Sequence, residues 1–274
     1  MEIFYIITIV FYILSTVSYV SYLFMQKNFM YHSGYYLLLT GFLFHTAAIV
    51  YDTINLGYIP VHNLHGTLLF SGWAVASVFL LLKYRFNLKI LGSYASPLAT
   101  VALITAFMTP NTPPPEADSI FKNAWLFIHI ITIFFGEAAL AMACGTGILY
   151  LVQEHAIKKK RRGFFFKRLP SLERIDNTGY ACIVIGFSLL TLGLITGMVY
   201  AKSVWNTFWS WDPKEIWSIV SWIVYAALLH GRISIGWRGR KAAFMAIIGF
   251  AVLMFTFIGV NFLLTGHHGQ FTKY

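Results

Sequence analysis

A chain of 274 residues that is 58% hydrophobic, 18% aromatic and only 11% charged is too apolar for a soluble domain and reads as a membrane protein. Its net charge of +10 raises nucleic acid as a partner, but the placement of that charge excludes it. Lys27, then Lys83, Arg85 and Lys89, then Lys158, Lys159, Lys160, Arg161, Arg162, Lys167 and Arg168, then Arg232, Arg238, Arg240 and Lys241 fall in alternate loops, as the positive-inside rule requires of cytoplasmic ones.

Apolar runs long enough to span a bilayer lie at about 3–24, 34–52, 66–83, 92–109, 124–152, 178–200, 214–231 and 242–263. The fold expected is therefore all-α: a polytopic membrane helix bundle of about eight transmembrane helices, forming a single domain over residues 1–274. With the basic loops cytoplasmic, both termini and the segments 53–65, 110–123 and 201–213 are extracytoplasmic. The first run lacks a basic start and a small-residue cleavage site, so it reads as a retained span rather than a signal peptide. The fourth is short and carries Pro97, and the fifth is long enough to project from the bilayer. Cys144 and Cys182 lie inside spans in no CxxC or zinc pattern and read as small buried residues.

Histidines are scattered along these elements. His45 falls within the second helix, where pairing with a backbone carbonyl would satisfy it. His62 and His65 are outside; His32 and His155 are inside and carry no motif. His129 stands about one turn inside the outer end of the fifth helix, and His267 and His268 follow the eighth. Neutral imidazole is the usual nitrogen ligand for haem iron, but taken singly these residues equally fit a satisfied helix histidine and a solvated tail. His230, at the inner end of the seventh helix, reads either as a functional residue at a span end or as an interfacial histidine balancing the helix dipole.

Between the sixth and seventh helices the run Tyr200–Trp217 places Trp205, Trp209, Trp211 and Trp217 in a polar interruption. One such tryptophan is ordinary for an interfacial belt, whereas four offer flat, polarizable faces suited to a large planar ligand. Asp212-Pro213-Lys214-Glu215 also describes a helix start, with Asp as N-cap, Pro at the first helical position and Glu three residues on.

The run Trp205-x-x-x-Trp209-x-Trp211-Asp212-Pro213-Lys214-Glu215-x-Trp217 resembles the WWD signature of the cytochrome c assembly proteins, and its Asp-Pro-Lys-Glu ending is similar to the CcsA/ResC branch. Trp125-Leu126-Phe127-Ile128-His129 resembles the context of that family's first outer histidine. Leu264-Thr265-Gly266-His267-His268-Gly269 resembles the second, with His268 in register and His267 beside it. Leu229-His230-x-Arg232 followed by Gly236-Trp237-Arg238-Gly239 resembles the segment whose histidine ligates a second haem within the membrane. There are departures. Asn63 and Leu64 are kept, but His65-Gly66 replace the family's Tyr-Glu; Asn206 stands where glycine is usual, and Tyr200 where tryptophan is common.

The resemblance implies a cytochrome c biogenesis subunit that exports haem b and presents it on the extracytoplasmic loop 201–217, where it is attached to CxxCH motifs of apocytochrome c. Outer iron ligands would be His129 and His268, the membrane haem ligand His230, and the cofactor-binding surface Trp205, Trp209, Trp211, Asp212 and Trp217. Implied partners are a CcsB/ResB-type membrane subunit and, indirectly, a thiol-reducing thioredoxin-like protein, in a bacterial inner membrane or a thylakoid. The pair would form a haem lyase in which no side chain of this chain has to act as nucleophile. Lys202 or Lys214 would be the cation to meet a propionate.

Two rivals make other demands. A b-type cytochrome of a quinol-linked complex would employ His45 and His230 and leave the tryptophan loop idle. A small-molecule transporter calls for paired charges or broken helices at midplane, of which the sequence gives no sign.

Overall fold

The computed structural model describes residues 2–112, 121–159 and 168–260. Within them eight helices are long and apolar enough to cross a membrane: α1 (Glu2–Met25), α2 (Asn28–Leu56), α3 (Leu64–Phe86), α4 (Gly92–Met108), α5 (Ala124–Lys158), α6 (Leu172–Trp205), α7 (Pro213–Ser234) and α8 (Arg240–Met254). A 3₁₀ turn, Lys89–Leu91, leads into α4, and α8 continues as a π-helical turn, Phe255–Gly259. An even number of crossings returns residue 260 to the side of residue 2.

Lipid gives helices no hydrophobic reason to associate, so small residues and hydroxyls set the contacts. α5 carries the run Ala138-Ala139-Leu140-Ala141-Met142-Ala143-Cys144-Gly145, buried throughout, and packs most extensively on α6, with α8 on another side. Both cysteines are buried, as expected. In the amino-terminal half, Ser96 donates to Ser15 at 3.1 Å, and Thr16 meets Ser96 and Thr100 at 2.9 and 2.8 Å, tying α1 to α4.

At 35 residues, α5 is about 52 Å long at 1.5 Å per residue, more than the roughly 30 Å of hydrocarbon, so it projects as expected. Several helices also begin or end beyond the apolar runs. α2 starts at Asn28 rather than 34 and α6 at Leu172 rather than 178, because polar turns such as Leu172-Glu173-Arg174-Ile175-Asp176 continue the hydrogen-bond ladder outside the apolar window.

The starts of α3, α5 and α7 and the ends of α6 and α8 converge at one end of the bundle, where the tryptophan loop also lies.

Candidate functional site

A cavity of about 230 Å³ opens at that end, lined from α3 by Thr67, from α5 by His129 and Glu137, from α6 by Gly197 and Trp205, from the following loop by Phe208 and Trp209, from α7 by Lys214, and from the π turn by Thr256 and Phe257. π turns inside α-helices are frequent at functional sites.

His129 is positioned by α6. Its Nδ1 lies 2.7 Å from the Gly193 carbonyl oxygen, which can only accept, so Nδ1 donates, and in the neutral ring Nε2 carries the lone pair. Gly197 makes room for the ring: a Cβ there would lie 2.8 Å from both Cε1 and Nδ1. The start of α5 is fixed by Asn123, which accepts from the Trp125 N–H at 2.8 Å and donates to the Ser203 hydroxyl of α6 at 3.0 Å.

The tryptophan loop is held by acids. Glu215 accepts from the backbone N–H and hydroxyl of Ser210 at 2.9 and 3.0 Å and from the Asp212 N–H at 3.2 Å, while Asp212 accepts from the Lys214 N–H at 2.8 Å. This is the capping box expected of Asp-Pro-Lys-Glu, with Pro213 in the first turn. Asp212 is 4% exposed and serves as that cap.

The four tryptophans occupy different places. Trp205 and Trp209 line the cavity, half-buried. Trp211 is 75% exposed, stands edge-on to Trp209 with ring centroids 5.9 Å apart, and has φ of 59°, a left-handed backbone that bulky side chains rarely adopt. Trp217 packs on Phe255 of the π turn at 4.5 Å and does not line the cavity. Asn206 ends α6 with φ of 58° and ψ of 14°, the left-handed cap that glycine and asparagine both tolerate, which explains its presence where glycine is usual.

His267 and His268 lie outside the described residues; α8, which precedes them, ends beside the cavity. His230 is exposed on α7, with Ser234 Oγ 3.4 Å from its Nδ1, in line with the exposed Ile216, Ile219 and Ile223 on the outward face of that helix. Beside it, Arg232 makes a bidentate pair with Asp176 at 3.0 and 2.7 Å and stacks on Tyr180 at 4.5 Å.

His45 is fully buried on α2 between Tyr5 and Tyr12, and its Nδ1 lies 3.4 Å from the Tyr12 hydroxyl rather than on a backbone carbonyl. α2 packs on α1, α3 and α4, and α7 on α6 and α8, so His45 and His230 do not share a pocket. At the start of α3, Asn63 caps the helix by accepting from the Gly66 N–H at 2.8 Å. A Cβ at Gly66 would collide with the Pro60 carbonyl, so the glycine of His65-Gly66 has a packing reason. His62 lies between α2 and α3 with Nε2 3.2 Å from the Thr112 carbonyl, and burial lowers its pKa from the ordinary histidine value.

Glu137 and Lys214 both line the cavity, and Asp176 pairs with Arg232 near the opposite end. Glu137 is the residue that sequence reasoning passed over. The signal was there, a carboxylate in the apolar run Phe134-Phe135-Gly136-Glu137-Ala138.

Residues 61–268 match the family model described as "Cytochrome C assembly protein". The chain is 36% identical over 245 residues to the cytochrome c biogenesis protein CcsA of Guillardia theta, with 81% of each chain covered. It is 33% identical over 248 residues to CcsA of Prochlorococcus marinus subsp. pastoris, covering 82% of this chain and 79% of that one. Among solved structures it resembles the cytochrome c heme lyase CcmF with a TM-score of 0.62 at 17% identity, over 98% of this chain and 48% of the other, a likeness of fold to about half of that protein. All the cavity-lining residues fall inside the matched span 61–268.

Proposed function

The chain belongs to the cytochrome c assembly protein family, in its CcsA branch, and from that membership we propose that it exports haem b and presents it in the outer cavity for attachment to CxxCH motifs of apocytochrome c. The observation that carries this reading is the cavity itself. His129, with Nδ1 bonded to Gly193 and Nε2 carrying the lone pair, shares its wall with the indoles of Trp205 and Trp209, an iron ligand beside an aromatic bed. His268 is proposed as the second outer ligand, from the family resemblance of its sequence context.

Thioether formation adds a cysteine S–H across each haem vinyl C=C, so it consumes no oxidant, and it requires the iron to be reduced. His129 and a second imidazole would hold the iron and close it to other ligands, and the histidine of the arriving CxxCH would take the place of one of them. The protein contributes position and a protected surface, and the reacting groups belong to haem and apocytochrome.

His230 supports the inner half of the path. Its exposure on the outward face of α7 suits a haem held between this chain and a CcsB/ResB-type subunit, whose histidine would complete the iron. A thioredoxin-like protein that keeps the apocytochrome thiols reduced is the indirect partner, and the membrane is a bacterial inner membrane or a thylakoid.

The purified chain with its partner tests the outer site. His129→Ala should lose the outer haem and regain it with added imidazole, while retention of all haem in that variant rejects this reading.

A further inference from the structure

The carbonyl that orients the His129 ring has a second donor. Thr196 Oγ1 lies 3.1 Å from the Gly193 carbonyl oxygen and 2.9 Å from that of Leu192, so its one proton is shared between them. His129 Nδ1 reaches the same Gly193 oxygen from α5 at 2.7 Å. Thr196 is 7% exposed and does not line the cavity, so it acts on a ligand there only through its neighbours.

A helical threonine commonly donates to the carbonyl four residues back, and Thr46, Thr53, Thr178 and Thr191 do so in this chain. Thr196 differs because its second acceptor is the oxygen that takes the histidine's proton. The place of that oxygen is set independently of the threonine. α5 and α6 approach so closely that a Cβ at Gly193 would collide with Ile133, and Thr132 holds the ligand's own backbone, its hydroxyl 3.1 Å from the His129 carbonyl oxygen. Removing the Thr196 hydroxyl therefore changes the electronic strength of the acceptor and leaves the ring where it is.

A carbonyl oxygen that already accepts one hydrogen bond is a weaker acceptor for the next, because both donors draw on the same lone-pair charge. A strong acceptor at Nδ1–H makes Nε2 more basic, and a more basic imidazole favours ferric over ferrous iron. The hydroxyl works in the opposite direction. We propose that Thr196 is a positioning residue whose hydroxyl, through the Gly193 carbonyl, tempers the donor strength of His129 and biases iron bound there towards the ferrous state. This rests on the haem reading above and deepens it, since thioether formation requires reduced iron.

The test is a redox titration of the haem-loaded complex of the full chain and its partner, in which the outer haem is the one that His129→Ala loses. Thr196→Val should shift the ferrous-to-ferric ratio of that haem about threefold towards ferric at fixed poise, a fall in midpoint of roughly 28 mV at about 59 mV per tenfold. Thr196→Ala should do the same, and Thr196→Ser, which keeps the hydroxyl, should keep the wild-type midpoint. Haem content and the midpoint of any haem that survives His129→Ala should not move. In His129→Ala refilled with 1-methylimidazole, which has no N–H to donate, Thr196→Val should make no difference. An unchanged or raised midpoint in Thr196→Val and Thr196→Ala overturns the proposal, as does an equal fall in Thr196→Ser or a fall that persists with 1-methylimidazole. Absence of any His129-dependent haem in the wild type overturns the haem reading with it.

Discussion

His129 and Gly193 are joined by one hydrogen bond of 2.7 Å between α5 and α6, and that bond decides which imidazole nitrogen can meet a metal. The Gly193 carbonyl takes the Nδ1 proton, and the glycine one turn later, Gly197, leaves the volume in which the ring lies. An added methyl at Gly197 would sit 2.8 Å from two ring atoms, so the ring must shift, and that displaces the nitrogen bonded to Gly193. Gly197→Ala is expected to lower outer-site haem affinity by about 10- to 100-fold, the usual effect of losing a ligand's supporting partner, while the protein still inserts in the membrane. Haem titration alongside a membrane-fraction blot checks it; unchanged affinity would show that the ring tolerates displacement.

Trp211 separates backbone strain from surface. Its left-handed backbone costs about 1–3 kcal/mol for a residue of its size, and its exposed indole stands at the edge of Trp209. Trp211→Gly should therefore leave thermal stability in detergent equal or higher and yet reduce haem occupancy. A variant that is less stable and fully loaded would mean that the indole serves folding and not the ligand.

Much of this arrangement was legible in the sequence, for identifiable reasons. Eight apolar runs gave eight helices, because the bilayer makes length and hydropathy decisive, and Asp212-Pro213-Lys214-Glu215 gave a capped helix start, because caps are local chemistry. The cradle of His129 was not legible. Gly193 and Gly197 lie more than sixty residues further along the chain, and in that sequence they look like any small residues of a packed helix. Glu137 escaped for the same reason, since it reads as an isolated anomaly until the fold places it on one cavity wall with His129 and Lys214. Hydropathy also misplaced the starts of α2 and α6, because it measures contact with lipid whereas the helix follows its hydrogen bonds.

His62 supplies a pH dependence outside the spans. Burial lowers its folded-state pKa from 6.5, so the folded protein holds the neutral ring while the unfolded chain takes up a proton first on acidification. Its contribution is fully present above pH 6.5 and is lost as pH falls from there through the depressed folded value, with a slope of at most about 1.4 kcal/mol per pH unit. His62→Gln should flatten the fall in thermal stability between about pH 6.5 and the folded value without removing contributions from other groups. An identical pH profile in wild type and variant would refute the assignment.

Asp176 joins three parts of the opposite end. Its carboxylate takes both N–H arms of Arg232 at the end of α7 and the Gly239 N–H at 3.0 Å just before α8, while Trp237 folds back so that its N–H reaches the Gly231 carbonyl at 3.0 Å. The Arg232 and Asp176 side chains are 8% and 13% exposed, so removing one strands a nearly buried charge, at a cost of about 3–5 kcal/mol. His230 stands two residues before Arg232 on the same helix end, so its direction depends on this clasp. Asp176→Ala should lower the melting temperature and deplete the haem assigned to His230 while leaving a His129-dependent haem in place. The reciprocal variant Arg232→Lys keeps the charge but not the bidentate geometry, and it should fall between the two. Equal loss of both haems would mean that the clasp supports the bundle as a whole, and separate loss would tie it to the inner site.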